Sequence, residues 1–535
     1  MTSNRRNFIA KAGLGIGGVV GLSSGGDFSC PQIKDTTLNF VNVALKQIIG
    51  DGKTKNTLAI NSLIKEIHEN GGGTLYFPPG NYITGAIHLK SNITIHLEAG
   101  AVITFSTDFD DYLPMVQSRW QGIDCVNFSP LIYANNASNI TITGRGTFDG
   151  GGAVWWDFVL KLRKEFKETG KVNRTRWQEI FYQNNQEASD QSFGFMRPSL
   201  FQAYNCDNIL IEGVRFLNSP FWTVHLVTCE NVVVDRVWIH NEDSPNTDGI
   251  NPESSKNVRI SNCYIYASDD CITIKSGKSK WARENAKPCE NITVTNCVMT
   301  SGAAGIGIGS EMSAGVRRVT VSNCVFENTH TGIHIKTNRE RGGIVEDIVI
   351  SNIVMNNISA QAGIFINTEY WIKTTPGPVN ENTPRFRNIH ISNVTGVNLK
   401  KAVEIIGLEE MAIENVSLSN INTSSQYGLK CRYIKNLMLT NIQVNDVTDT
   451  PFVFEHVEQA DIDGLTTNAG KDQPKVKLLN VSDFSLGRCR HNGSGKAFLE
   501  IDGEYTGQVW LQDKRLLTNG AVSVTGKVKK GAVII

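Results

Sequence analysis

The sequence predicts an all-β chain wound as a parallel β-helix. One observation is a recurring phrase, Asn followed by Ile, Val or Leu alternating with polar residues. It reads "SNITIHL" at 91, "SNITITG" at 138, "DNILIEG" at 207, "ENVVVDR" at 230, "KNVRISN" at 256 and "ENITVTN" at 290. It continues as "RRVTVSN" at 317, "EDIVISN" at 346, "RNIHISN" at 387, "ENVSLSN" at 414 and "KNLMLTN" at 435. A second is the spacing: successive phrases start mostly 21 to 34 residues apart, and each is a short strand of period two. The third is what lies between them: further period-two pieces such as "CITIKSG" and "GIHIKTN", and no helical pattern. Leucine-rich repeats would need a leucine framework that is absent, and a propeller would need four strands in a longer repeat. In a β-helix, equivalent positions of successive coils stack about 4.8 Å apart. The recurring Asn then forms amide ladders at the turns.

The elements follow in order. Residues 1–30 carry Arg5–Arg6, Phe8-Ile9, Lys11 and a weakly apolar Gly/Val/Leu run, which reads as a twin-arginine-like export signal. "TKNTLAINSLIKEIHEN" at 54–70 has apolar residues at helical spacing and ends before three glycines, as expected of a helix capping the open end of a solenoid. The β-helix occupies 31–475. Residues 157–195 break its rhythm with charged, aromatic and partly helical sequence, an inserted loop. Residues 476–535 read as a C-terminal β extension.

Lys+Arg and Asp+Glu are both 52, so the formal net charge is zero. Nothing in that balance points to nucleic acid or an anionic membrane, and no segment has the run of about 20 apolar residues that spans one. The eleven cysteines form no C-x-x-C pair; Cys206, Cys263, Cys297 and Cys324 each follow an Asn, as small buried residues of a repeat rather than a disulfide framework.

The chemistry concentrates in "SPNTDGINPESSKNVRISNCYIYASDDCITIKSG", 244–277. Asp248 and Asp269 are 21 residues apart, one short coil, so the two acidic clusters fall at one angular position on neighbouring coils. Stacking would hold Asp248, Asp269 and Asp270 roughly 5–9 Å apart. Carboxylates that close cannot all ionise freely, so one keeps its proton while another loses it. Glycosidic cleavage needs that acid–base division. An Asp in a turn often only caps backbone amides, and acidic clusters on β-helices also bind calcium. Three aspartates in this register favour chemistry over either. Two coils on, "THTGIHIKTNRERGG" supplies His334, Lys336, Arg339 and Arg341, cations suited to an anionic sugar such as a uronate. Phe221, Trp222 and Trp371 are candidates for sugar stacking or for packing.

These segments resemble the family-28 glycoside hydrolases, the polygalacturonase-like enzymes. The resemblance runs from "GGGTLYFPPGNY" through "SPFWTVH", "PNTDGINPESSKNVRISNC", "SDDCITIKSG" and "GIGIGSEMSAGV" to "GIHIKTNRERGG". It implies a right-handed single-stranded β-helix of the pectin lyase-like kind, inverting hydrolysis of pectic polysaccharide, and no metal or organic cofactor. It implies Asp269 as general acid, Asp248 and Asp270 as joint activators of water, and Asn246 as a positioner of substrate or of an aspartate. Lys336 would contact a substrate carboxylate and Tyr370 would lie beside the cut. Inverting enzymes separate acid and base by about 6.5–9.5 Å, a distance that shortens in this family.

Two departures stand out. The family's Gly-His-Gly histidine has no counterpart in Gly302-Ala303-Ala304-Gly305, and His334 replaces the arginine of its Arg-Ile-Lys motif. His334 stays a candidate substrate contact without the arginine's role, and rhamnogalacturonan hydrolase or α-L-rhamnosidase activity becomes an alternative. The insertion favours attack from a chain end. A calcium-dependent lyase and a non-catalytic carbohydrate-binding solenoid are the competing readings. The expected partner is a pectic polymer or oligomer, the expected location outside the cytoplasm, and the expected state a monomer.

Overall fold

The computed structural model describes residues 40–534, apart from 186–192, 243, 372–374, 469–472, 492–496 and 514–520. The export signal expected at 1–30 lies outside these.

The coils carry three strands each, which stack into three parallel sheets. One coil runs Val224–Val227, Glu230–Asp235, Trp238–His240, and each strand pairs in parallel with its counterpart in the next: Ile250–Glu253, Lys256–Ser261, Tyr264–Ala267. Alternation along each strand turns its Ile, Val or Leu inward. In the first sheet the inward position runs in register through Ile132, Phe201, Val224, Ile250, Ile272, Ile306, Ile333, Ile364, Val403 and Leu429. All of these are buried, part of one core that follows the solenoid axis.

Asparagines make the corners. Asn352, Asn393, Asn420 and Asn441 all have φ of 53–56°, the left-handed region that Asn enters at less cost than most residues. Their amides bond from coil to coil: Asn393 to Asn352 at 3.0 Å, Asn420 to Asn393 at 3.0 Å, Asn441 to Asn420 at 3.0 Å. The ten described cysteines are buried and none is in a disulfide.

The capping helix α1 (Thr57–Glu69) buries Ile60, Leu63, Ile64 and Ile67, the i, i+3, i+4, i+7 face, against the first coils. Two further helices, α2 (Ala153–Thr169) and α3 (Arg176–Asn184), occupy the insertion. An aromatic cluster anchors them: Phe109 lies 4.4 Å from Trp155, and Phe158 4.3 Å from Phe195, between ring centres. Residues 476–534 carry strands that pair in parallel on Phe452–Thr467 and on one another, so the stacking continues through them. No described helix is long and apolar enough to cross a membrane.

A piece outside the repeat matters for the site. Val116–Trp120 and Ile123–Asn127 form an antiparallel hairpin laid over the outer face of the first sheet. Ser118 bonds Gln202 at 2.7 Å, and the Arg119 guanidinium reaches Ser254 at 3.1 Å and Asp124 at 2.7 Å. Helix α3 is followed by Asn185, whose amide clasps Val126 from behind the hairpin.

Candidate active site

The outer face of the first sheet is the floor of a groove. Its outward positions run Gln202, His225, Asn251, Thr273, Gly307, His334, Phe365, Glu404 and Lys430. These positions are buried from Gln202, which lies under the hairpin, through Phe365, whereas Glu404 and Lys430 are only half-buried. The groove is therefore closed at the end toward the N-terminal coils and open at the other.

The aspartates sit beside the hairpin, whose tip residue Gln121 lines the same cavity. The coil step expected from Asp248 to Asp269 is 21 residues; the register Ile250 to Ile272 makes it 22. Asp270, not Asp269, therefore stacks on Asp248, each two residues ahead of its inward Ile. The Gly249 N–H donates to the Asp270 carbonyl at 3.0 Å, which locks that offset. One oxygen from each of the three carboxylates lies within 4.8 Å of the others.

Their surroundings differ. Asp248 accepts from Asn251 Nδ2 at 2.7 Å and from Thr273 Oγ1 at 3.4 Å, and lies 3.7 Å from Lys275 Nζ. Burial, then the charge of Asp269, raises it well above the usual carboxylate range. Asp269 is the more accessible of the three and accepts from Asn246 Nδ2 at 3.3 Å. Burial and the adjacent Asp270 raise it too. Asp270 is buried and would also rise, but Lys336 at 2.7 Å, aided by Lys275, holds it below that range. The Ala304 N–H donates to Asp270 at 3.0 Å. Gly307 leaves room for this carboxylate: a Cβ there would stand 2.9 Å from Asp270 Oδ2. The trio thus holds one stable anion and two carboxyls that compete for protons.

The other expected residues distribute unevenly. Lys336, Asn246 and Tyr370 line the same cavity of about 250 Å³ as the aspartates, with Lys336 Nζ 5.3 Å from the Tyr370 ring centre. His334 lies behind Tyr370, stacked on Phe365 at 4.9 Å and edge-on to Tyr370 at 5.4 Å. Burial and Lys336 bring it down to about 3, so it is neutral and props the tyrosine. Of the aromatic candidates, Phe221 is sandwiched between Trp120 and Trp222; Trp222 and Trp371 line the cavity, and Trp371 is 84% exposed.

Other residues carry less sequence signal. Lys275 lies 3.1 Å from Glu311 Oε2 and 4.6 Å from the Trp222 ring centre. Burial opposes its charge, but Glu311 and Asp248 outweigh that and raise it. Burial would raise Glu311, yet Lys275 and Arg341 bring it down to about 2. Lys275 was detectable: in "CITIKSG" it is the second outward position after Ile272. Arg197, fully buried, donates to Asn246 Oδ1 at 2.9 Å and to the Pro220 and Pro245 carbonyls, and so fixes the turn that presents Asn246. Nothing in its local sequence marks it. Three close carboxylates are also the donor set of a divalent cation, but Lys336 and Lys275 already supply positive charge to them.

Known proteins align with this arrangement. The family model "Glycosyl hydrolases family 28" matches residues 176–448, and "Rhamnogalacturonase A/epimerase, pectate lyase-like" matches 40–161. A probable polygalacturonase of Vitis vinifera is 30% identical over 70% of this chain and 72% of its own length. An exo-poly-α-D-galacturonosidase of Dickeya chrysanthemi is 26% identical over 80% and 74%. The crystal structure of a hyperthermoactive exopolygalacturonase from Thermotoga maritima superposes with a TM-score of 0.64 at 32% identity, over 75% of this chain and 91% of that one. Matched over more than half its length, including the coils that bear the three aspartates, the chain belongs to glycosyl hydrolase family 28.

Proposed function

We propose that the protein hydrolyses pectic polysaccharide from a chain end, by acid–base catalysis with inversion. The observation that carries this is the aspartate trio with divided proton affinities, set beside the hairpin that closes one end of the groove. Asp269, accessible and protonated, donates to the glycosidic oxygen as the bond breaks. Water attacks the anomeric carbon from the opposite face and passes a proton to Asp270, which Lys336 keeps ionised. Asp248 shares that water. Asn246, braced by Arg197, orients Asp269. The three oxygens within 4.8 Å are closer than the roughly 6.5–9.5 Å of most inverting glycosidases. Inversion therefore rests on family resemblance, and the anomer of freshly released product, read by proton NMR, decides it.

End-on attack rests on the hairpin 116–127, which packs on the first sheet through Ser118 on Gln202 and Arg119 on Ser254. The insertion braces this wall rather than forming it. The exo-acting relatives named above agree with it. Digestion of polygalacturonate tests both statements. Galacturonate or a single short product from the earliest times is expected; a ladder of oligomers overturns the exo reading, and no new reducing ends overturns hydrolysis. A second reading, action on rhamnogalacturonan, is favoured by Ala303 and Ala304 in place of the family histidine, and the same digestion on that polymer separates the two. Such a substrate places the enzyme outside the cytoplasm.

A further inference from the structure

Four cations line the cavity: Lys275, Lys278, Lys336 and Arg341. Two have carboxylate partners, Lys336 with Asp270 at 2.7 Å and Lys275 with Glu311 at 3.1 Å. The other two are less fully neutralised. Among the described residues the Lys278 ammonium makes no ion pair. Burial and the like charge of Arg341 bring it below the ordinary lysine range, against the pull of Glu311 and Glu340. Arg341 Nη2 is 3.9 Å from Glu311, which Lys275 already engages more closely, and the Arg341 Nε is buried without a hydrogen-bond partner among the described residues.

Lys278, without an ion pair among the described residues, and Arg341, sharing Glu311 with Lys275, leave this corner with positive charge that an anionic ligand would balance. Their place says which part of the ligand. The Lys278 N–H donates to the Gly122 carbonyl at the hairpin tip, at 3.0 Å. A Cβ on Gly122 would stand 2.9 Å from Lys278 Cβ and 3.0 Å from Glu311 Cγ. Lys278 therefore sits against the closed end of the groove, where a terminal sugar ring must stop, and Arg341 reaches the same corner through Glu311. Lys336, expected to meet a substrate carboxylate, also pairs with Asp270.

We propose that Lys278 and Arg341 bind the carboxylate of a uronate at the closed end of the groove, and so select a uronic acid over the neutral hexose of the same shape. An ammonium and a guanidinium fork suit a carboxylate and have no counterpart on a hydroxymethyl group. The proposal rests on the pectin reading for the identity of the sugar, but its test needs no turnover.

Galacturonate and galactose are titrated separately into the intact protein, with binding followed by ligand-observed NMR. Wild type is expected to bind galacturonate at least about tenfold more tightly than galactose. Lys278→Met, a change at a half-buried side chain, is expected to cut that preference at least about fivefold, leave galactose binding unchanged and leave the melting temperature in place. Arg341→Met should cut the preference likewise, with a lower melting temperature because Glu311 loses one of its two cations, and the pair together should abolish the preference. Equal binding of the two sugars to wild type, no binding of galacturonate, or a preference that survives both substitutions overturns the proposal. A preference lost in the variants, in a protein that releases no reducing ends from polygalacturonate, upholds this site and rejects hydrolysis instead.

Discussion

Lys336→Met removes the cation 2.7 Å from Asp270 and leaves a side chain of similar length in its place. Both partners are nearly out of water, with side chains 7% and 2% exposed. Removing one member of such a pair costs about 3–5 kcal/mol, because the other charge stays buried. At about 1.36 kcal/mol per pH unit, that is an upward move of Asp270 by about 2–4 units. The sign follows from the depressed value in the folded protein. The pair's contribution is full above the unfolded carboxylate range and is lost as pH falls through the folded value. The gap between wild type and variant in urea unfolding should therefore be full at pH 7 and close below about pH 4. The acid limb of kcat/KM, which reports the free enzyme, should move to higher pH by the same 2–4 units. An acid limb that stays put would show that Asp270 is not the ionised base. A stability gap of equal size at every pH would show that Lys336 acts by packing alone.

Three further outcomes are expected. Asp269→Asn should lower turnover at least about a thousandfold, within the range of acid–base contributions; the melting temperature should not fall, since a carboxyl raised by burial adds no stability at neutral pH. Replacing Trp120–Ile123 by Asn-Gly shortens the hairpin at its tip, and size analysis of the products should then show oligomers where wild type gives one short product. Asn393→Gly should cost about 1–2 kcal/mol for two exposed amide bonds, and Asn393→Ala about 1–2 kcal/mol more, because only the latter strains φ of 54°. Equal losses by calorimetry would mean that the ladder, not the backbone, is what Asn393 supplies.

The solenoid was legible because each coil repeats the same two constraints: an inward Ile or Val at period two, and an Asn at a left-handed corner. The site was legible to the extent that it lies on those strands. Asp248, Asp270 and Lys336 occupy fixed offsets from the inward residues Ile250, Ile272 and Ile335, and Lys275 obeys the same alternation. The turn between strands does not obey it, and there the register slipped by one. Counting from Asp248 to Asp269 gives 21, but the sheet pairs Ile250 with Ile272, so the first aspartate of the pair is freed to face the groove while the second is packed against Lys336. That one-residue difference separates the accessible Asp269 carboxyl from the buried Asp270, and only the hydrogen-bonded register reveals it. The groove's end is less legible still. The hairpin has no counterpart in the repeat, and it is fixed by Ser118 on Gln202, 84 residues away, and Arg119 on Ser254, 135 residues away. The wall at this end of the groove is thus set by contacts that no motif around the aspartates contains, and two chains with the same Asn-Thr-Asp and Asp-Asp segments can differ in it.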